Sequence, residues 1–226
     1  MGSGRSGFVC AALAPRAPRR AACVKYELEE KSLFVFGLGY TGLALGCFLQ
    51  DKGWRIYGTC SSREKADSLR ERDWCAFQWT AGCPLDAAIV ETAQLCSHVI
   101  SSIPPLEGID PILSVRQEMF HLAERTEWVG YISSTSVYSE TEGGWVDEGS
   151  PTQKNMPRCK AENLWLELGD LEKTRSRVFR CADLGARLVV AICRYLRTQS
   201  ERLGHAERQK SWQYQRFEAG FENPCR

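Results

Sequence analysis

The stretch that decides the fold is Leu33-Phe-Val-Phe-Gly37-Leu-Gly39-Tyr40-Thr41-Gly42. Four apolar residues read as a short buried strand. Three glycines follow at the spacing GxGxxG. Leu43, Cys47 and Phe48 then recur at helical spacing, and Gly53 supplies a stop. A strand, a glycine turn and a helix in that order predict the first half of a βαβ unit that binds a dinucleotide. Each glycine has its own task. Gly37 permits the tight turn, Gly39 lets a pyrophosphate approach the backbone, and Gly42 lets the helix pack closely on the strand. Tyr40 and Thr41 lie between them at the helix mouth, where backbone N–H groups lack helical acceptors and suit an anion.

The pattern repeats outward from this point. Arg55 to Cys60 reads as a second strand, and Ser61 with Glu64 has the spacing of a capping box for a helix over about 62–72. Further strands are expected at Cys75–Trp79, His98–Ile103, Trp128–Ser133 and Arg177–Arg180. Helices are expected after Pro84, from Asp110-Pro111 through Leu122, and through Ala161, Trp165, Leu168 and Leu171. Residues 139–157 are a polar loop. Leu188 to Leu196 is apolar enough for one more helix. Strands alternating with helices predict an α/β fold, a doubly wound parallel sheet in three layers.

The end of the second strand faces the adenosine ribose in such folds. An NAD site places an acid there. This chain has Ser61, Ser62 and Arg63 instead. A carboxylate repels a 2′-phosphate, whereas a guanidinium and hydroxyls bind one. NADP is therefore the expected cofactor, with NAD the alternative. The competing reading is that the serine only caps a helix and Arg63 is solvated.

Composition bounds the rest. Of 226 residues, 43% are hydrophobic and 25% charged, which suits a globular chain. Lys and Arg number 29 against 28 Asp and Glu, a net charge of +1. That balance gives no field to attract nucleic acid or an anionic membrane, and no apolar stretch is long enough to span one. The three histidines are far apart and join none of the eleven cysteines, so no metal site is expected. The cysteines read as free thiols of a reducing compartment.

The fifth strand ends in Tyr131-Ile-Ser-Ser-Thr-Ser-Val-Tyr138, followed by Gly143-Gly-Trp-Val-Asp-Glu148. With the glycine turn, this resembles the extended short-chain dehydrogenase/reductase superfamily, and within it the atypical NAD(P)-binding epimerase/dehydratase-like proteins with a Rossmann fold. The resemblance covers residues 32–180. It implies a carbonyl-polarising hydroxyl at Ser134. It also implies a Tyr–Lys proton-transfer pair. Counting back from Glu162, those two positions hold Lys154 and Arg158. Arg158 is permanently charged and cannot shuttle a proton. Tyr138 is the substitute donor by position, against its reading as a packing tyrosine. The resemblance implies a small carbonyl or hydroxyl substrate of unspecified identity and a homodimer. A non-catalytic dinucleotide-binding sensor or assembly protein is the alternative to an oxidoreductase.

The domain reading is a tail over 1–30, a dinucleotide-binding domain over 31–182 and a divergent tail over 183–226. Before Glu27 there is no acid, while Arg5, Arg16, Arg19, Arg20 and Lys25 are present. That composition suits a transit peptide to a plastid or other organelle. A plain disordered tail, and hence a cytoplasmic protein, is the alternative. After Arg180 the superfamily's glycine-containing turn and substrate lobe do not follow, so that lobe is expected to be truncated or absent. A divergent ending, altered splicing and a gene-model error each account for it. A truncated product that folds poorly is a third functional outcome.

Overall fold

The computed structural model describes residues 31–115, 126–171, 174–182 and 189–196. Six strands form one sheet: β1 (Ser32–Phe36), β2 (Arg55–Cys60), β3 (Cys75–Gln78), β4 (His98–Ser101), β5 (Trp128–Ser134) and β6 (Arg175–Cys181). Every pairing is parallel and the order is β3-β2-β1-β4-β5-β6. Parallel neighbours need crossovers, and among the described residues helices supply four of the five. These are α1 (Tyr40–Gln50), α2 (Arg63–Arg70), α3 (Ala87–Leu95) and α4 (Pro157–Leu171). The chain reverses its direction of travel across the sheet between β1 and β4, so the crevice of this fold lies at their carboxyl ends.

The strand sequences are nearly continuous apolar runs because both sheet faces are covered. All five residues of β1 are buried. On one face Leu33, Val35 and Ile56 pack with Leu45 and Leu49 of α1, Ala66 and Leu69 of α2, and a helical segment over 189–196. On the other, Phe34, Phe36 and Val129 pack with Ile89 of α3 and with Ala161, Trp165 and Leu168 of α4. Each large side chain buried in this way contributes about 1.5–3 kcal/mol. The packed unit therefore includes Ile192, Tyr195 and Leu196, beyond residue 182.

Helix ends follow local chemistry. Trp54 N–H donates to Leu49 O across Gly53, whose φ is +79°. Trp74 N–H donates to Leu69 O across Asp73, at φ +63°. Both are six-residue C-terminal closures with a left-handed residue before the indole. The cap of α2 is Ser62, whose hydroxyl accepts from Lys65 N, and not the expected Ser61. The serine nearer the helix reaches the third N–H.

The last strand is longer than its sequence signal, since it runs through polar Arg175 and Ser176. After Asp110 the described chain makes only a short 3-10 turn, Leu113–Val115. The rest of the helix expected there lies outside the described residues, as do residues 1–30, 183–188 and 197–226. Seven described cysteines are free thiols, whereas Cys75 on edge strand β3 is disulfide-bonded, contrary to expectation. Among the described residues there is no cluster of metal-binding side chains, and no helix is long and apolar enough to cross a membrane.

Candidate functional site

The glycine turn sits where β1 meets the crevice. Gly37 has φ +89°, and a Cβ there would lie 2.8 Å from Ser102 Oγ. That hydroxyl donates to Gly37 O at 2.7 Å, tying the end of β4 to the turn. Thr59, near the end of β2, holds the same turn: its Oγ1 accepts from Gly37 N at 3.1 Å and its O accepts from Leu38 N. A Cβ on Gly42 would stand 2.6 Å from Gly37 O and 3.0 Å from Val35 Cγ1. The first and third glycines are thus required by the protein's own packing.

Gly39 differs. A Cβ there would meet nothing nearer than Gly37 O, at 4.0 Å. Its φ of −79° suits any residue. The missing side chain serves no contact within the described protein, and it leaves a bare backbone at the mouth of α1. That mouth is also uncapped. Ser62 caps α2 and Asp86 caps α3, but no side chain caps α1 and its first turn holds no acid. The residues fit a pyrophosphate: an open backbone approach and a positive helix end without a side-chain cap. Tyr40 stands exposed at this mouth and Thr41 is buried.

Beyond β2, Ser61 is exposed, and the Ser62 oxygen is engaged as the cap of α2. Arg63 projects into solvent with 80% of its side chain exposed, and its Nε is 3.9 Å from Asp67 Oδ2. An exposed pair that loose holds the guanidinium weakly. It is available to an anion.

The hydroxyl run lies at the end of β5. Ser134 Oγ accepts from Ser136 N at 3.2 Å, starting a 3-10 turn over Thr135–Val137. The hydroxyl oxygen is fixed by this bond while its proton remains free to be donated. Tyr138, at the close of the turn, is buried, and the Arg180 guanidinium lies 5.1 Å from its ring centre. The two candidate hydroxyl residues come from one turn but sit in different settings, one half-exposed and one beneath a cation.

Behind them lies a network that sequence spacing did not reveal. Glu162, on the first half of α4, is only 3% exposed. Ser133 Oγ donates to its Oε1, and Arg180 donates to both carboxylate oxygens, with Nη2 at 2.8 Å from Oε2. Burial acts to lower the Arg180 pKa, but the Glu162 carboxylate and Tyr138 outweigh it and hold the guanidinium firmly charged. A second buried carboxylate, Asp110, accepts from the backbone N–H groups of Ile112 and Leu113 and from Trp165 Nε1. Burial raises its pKa. The residue count to Glu162 was the one signal that could have located the first network. Burial pushes the thiols of Cys60, Cys96, Cys159 and Cys193 up, so none of them is an activated nucleophile.

No protein-family model matches the chain, and no curated protein does. Solved structures do match. A functionally unknown conserved protein from Silicibacter pomeroyi DSS is 28% identical, with a TM-score of 0.52, over 66% of this chain and 52% of its own. The yeast methylglyoxal/isovaleraldehyde reductase Gre2, complexed with NADPH, is 18% identical, with a TM-score of 0.50, over 65% of this chain and 52% of its own. Gre2 from Candida albicans, in complex with NADPH, is 14% identical, with a TM-score of 0.51, over 66% and 56%. The chain thus spans about half the length of the structures it matches. Over that two-thirds of its own length it shares the fold of these structures, an α/β Rossmann-like arrangement around a six-stranded parallel sheet.

Proposed function

We propose that this chain binds NADP(H) at the mouth of α1 and acts as an oxidoreductase on a small carbonyl or hydroxyl substrate. The observation that carries the reading is Gly39. Its absent side chain leaves space that no described protein atom uses, beside an uncapped helix end. The NADPH complexes of the two Gre2 structures support the choice of cofactor. Arg63 supports NADPH over NADH, because an exposed, loosely paired cation at the start of α2 would reward a 2′-phosphate.

NADPH bound here supplies hydride-transfer chemistry. The chain's own residues do the rest. First-turn amides of α1 would hold the diphosphate. Gly37 and Ser102 shape the floor between β1 and β4. Ser134 presents a hydroxyl proton at the end of β5, where it polarises a carbonyl oxygen. Tyr138, four residues after Ser134, is a phenol held under Arg180.

A second reading has its own observation. Lys154 and Arg158 stand where the superfamily's proton-transfer pair is expected, and a permanently charged guanidinium moves no proton. A non-catalytic NADPH-binding protein fits that replacement. Calorimetry with NADPH and NADH, followed by NADPH oxidation with a panel of aldehydes and ketones, tests both. Tight NADPH binding with turnover supports the oxidoreductase, and binding without turnover supports the second reading. Equal or absent binding of both nucleotides overturns the assignment of the cofactor.

A further inference from the structure

One buried carboxylate gathers four separate elements beside Ser134. Ser133 on β5 and Arg180 on β6 are register neighbours, as are Ser134 and Cys181. Both strand ends grip Glu162 of α4, through the Ser133 hydroxyl and the two-pronged Arg180. Arg180 does not stop there. Its guanidinium lies over Tyr138, and its Nη1 donates to Glu148 O at 3.4 Å.

Tyr138 and Glu148 belong to the excursion that leaves β5 and re-enters at α4. The root of this loop is closed by Tyr138 pairing with Thr152. Ser139 N donates to Pro151 O at 2.9 Å, and Gln153 N to Val137 O at 2.8 Å. The loop tip carries Trp145, fully exposed. The loop is therefore tied at its root by backbone bonds and by Gln153 Nε2, which donates to Tyr138 O at 3.0 Å, while Arg180 ties it to the β6 end and to Glu162. A planar, forked cation can hold a carboxylate with its Nε–Nη2 edge, lie near a ring and still reach a carbonyl with Nη1.

We propose that Arg180, held by Glu162, is the positioning residue of the substrate side of the crevice. It seats Tyr138 and the 139–156 loop as a strap beside the Ser134 hydroxyl. The proposal rests on the reading of Ser134 as the hydroxyl that meets the substrate. It assigns Arg180 no proton transfer and no contact with the reacting atoms.

The test uses the full chain with Arg180→Lys, Glu162→Gln and Arg180→Ala. Three quantities are measured: NADPH affinity, amide hydrogen exchange, and turnover across the carbonyl panel. In Arg180→Lys, NADPH affinity stays within about threefold of the parent, because the glycine turn lies on β1 and α1. Exchange at the Ser139 and Gln153 amides accelerates by at least about tenfold while β1 and α1 amides keep their protection. Turnover number falls by about tenfold or more with little change in the KM for NADPH, as expected when orientation alone is lost. Glu162→Gln moves the same amides in the same direction. In Arg180→Ala, added millimolar guanidinium ion restores protection at Ser139 and Gln153. If Arg180→Ala does not fold, the lysine and glutamine variants decide alone.

Unchanged exchange at those two amides in the folded variants overturns the proposal. So does a loss of protection spread equally over β1 and α1, which marks a purely structural residue. Absence of turnover in the parent chain sinks the oxidoreductase reading instead, and the exchange result still decides whether Arg180 seats the strap.

Discussion

Replacing Gly39 and Gly42 separately by alanine distinguishes a glycine kept for a ligand from one kept for the fold. At Gly39 the added methyl meets no described atom closer than 4.0 Å. The backbone at φ −79° accepts alanine, and removing a glycine from the unfolded ensemble stabilises by about 0.4–1 kcal/mol. Against this, alanine is a poorer helix N-cap than glycine by a similar amount, about 0.5–1 kcal/mol. The two nearly cancel, so Gly39→Ala is expected to melt within about 4 °C of the parent. At Gly42 the methyl would stand 2.6 Å from a backbone oxygen held in place by two strands. Overpacking of that kind costs about 1–3 kcal/mol, which lowers the melting temperature by at least several degrees.

Ligand binding should order the two variants the other way. A methyl on Gly39 occupies the approach of the diphosphate and disrupts one or two charge-assisted hydrogen bonds, each worth about 1.5–3 kcal/mol. NADPH affinity then falls by about tenfold to a hundredfold or more. Thermal melts with and without NADPH, together with calorimetry, read both quantities. A Gly39→Ala chain that binds NADPH like the parent refutes the assignment of the cradle. One that melts as low as Gly42→Ala refutes the claim that Gly39 has no packing task.

Further consequences concern the ribose end, the core and pH. Arg63→Glu should weaken NADPH by about tenfold or more and leave NADH unchanged, because an exposed guanidinium with only a loose partner is replaced by a repelling charge; competitive titration of the two nucleotides checks it. Gly130→Ala places a methyl 2.2 Å from the Trp128 ring and displaces it from the stack that runs through Trp54, His98, Phe179 and Tyr195. A loss of about 1–3 kcal/mol in denaturant titration and an altered near-ultraviolet dichroism are expected. His98 is held neutral, its pKa lowered from 6.5 to about 4 by burial between two indoles and then by Arg175. Its folded-state pKa lies below the unfolded one, so the unfolded chain takes up the proton first. The associated stability is complete above pH 6.5 and drains away as pH falls toward 4, by roughly 3 kcal/mol. His98→Phe should remove that part of the slope between pH 6.5 and 4 in chemical-denaturation curves; an unaltered slope contradicts the assignment.

The glycine turn and the alternation of strands and helices that makes a parallel sheet were legible because their grammar is local. Each βα unit announces itself within about 30 residues through an apolar run, a breaker and a helical period. Where the signal blurred, a local rule met tertiary packing. The cap of α2 fell to Ser62 because two adjacent serines satisfy nearly the same pattern and only helix geometry chooses between them. β6 extended through Arg175 and Ser176 because pairing with β5 overrides their polarity. The substrate side was opaque for a different reason. Ser133, Glu162 and Arg180 are separated by 29 and 18 residues and share no motif. Each alone reads as an ordinary polar residue on a strand or helix. Their meaning lies in the fact that an almost fully buried carboxylate must be paired, and only the parallel register of β5 and β6 brings a hydroxyl and a guanidinium to the same point on α4. A cofactor cradle is built from consecutive residues because it must shape a backbone. A substrate side is assembled from whichever strand ends the topology makes neighbours. For this chain that asymmetry makes the diphosphate reading a statement about ten residues. Any statement about turnover depends on whether β5, β6 and α4 meet as Glu162 requires.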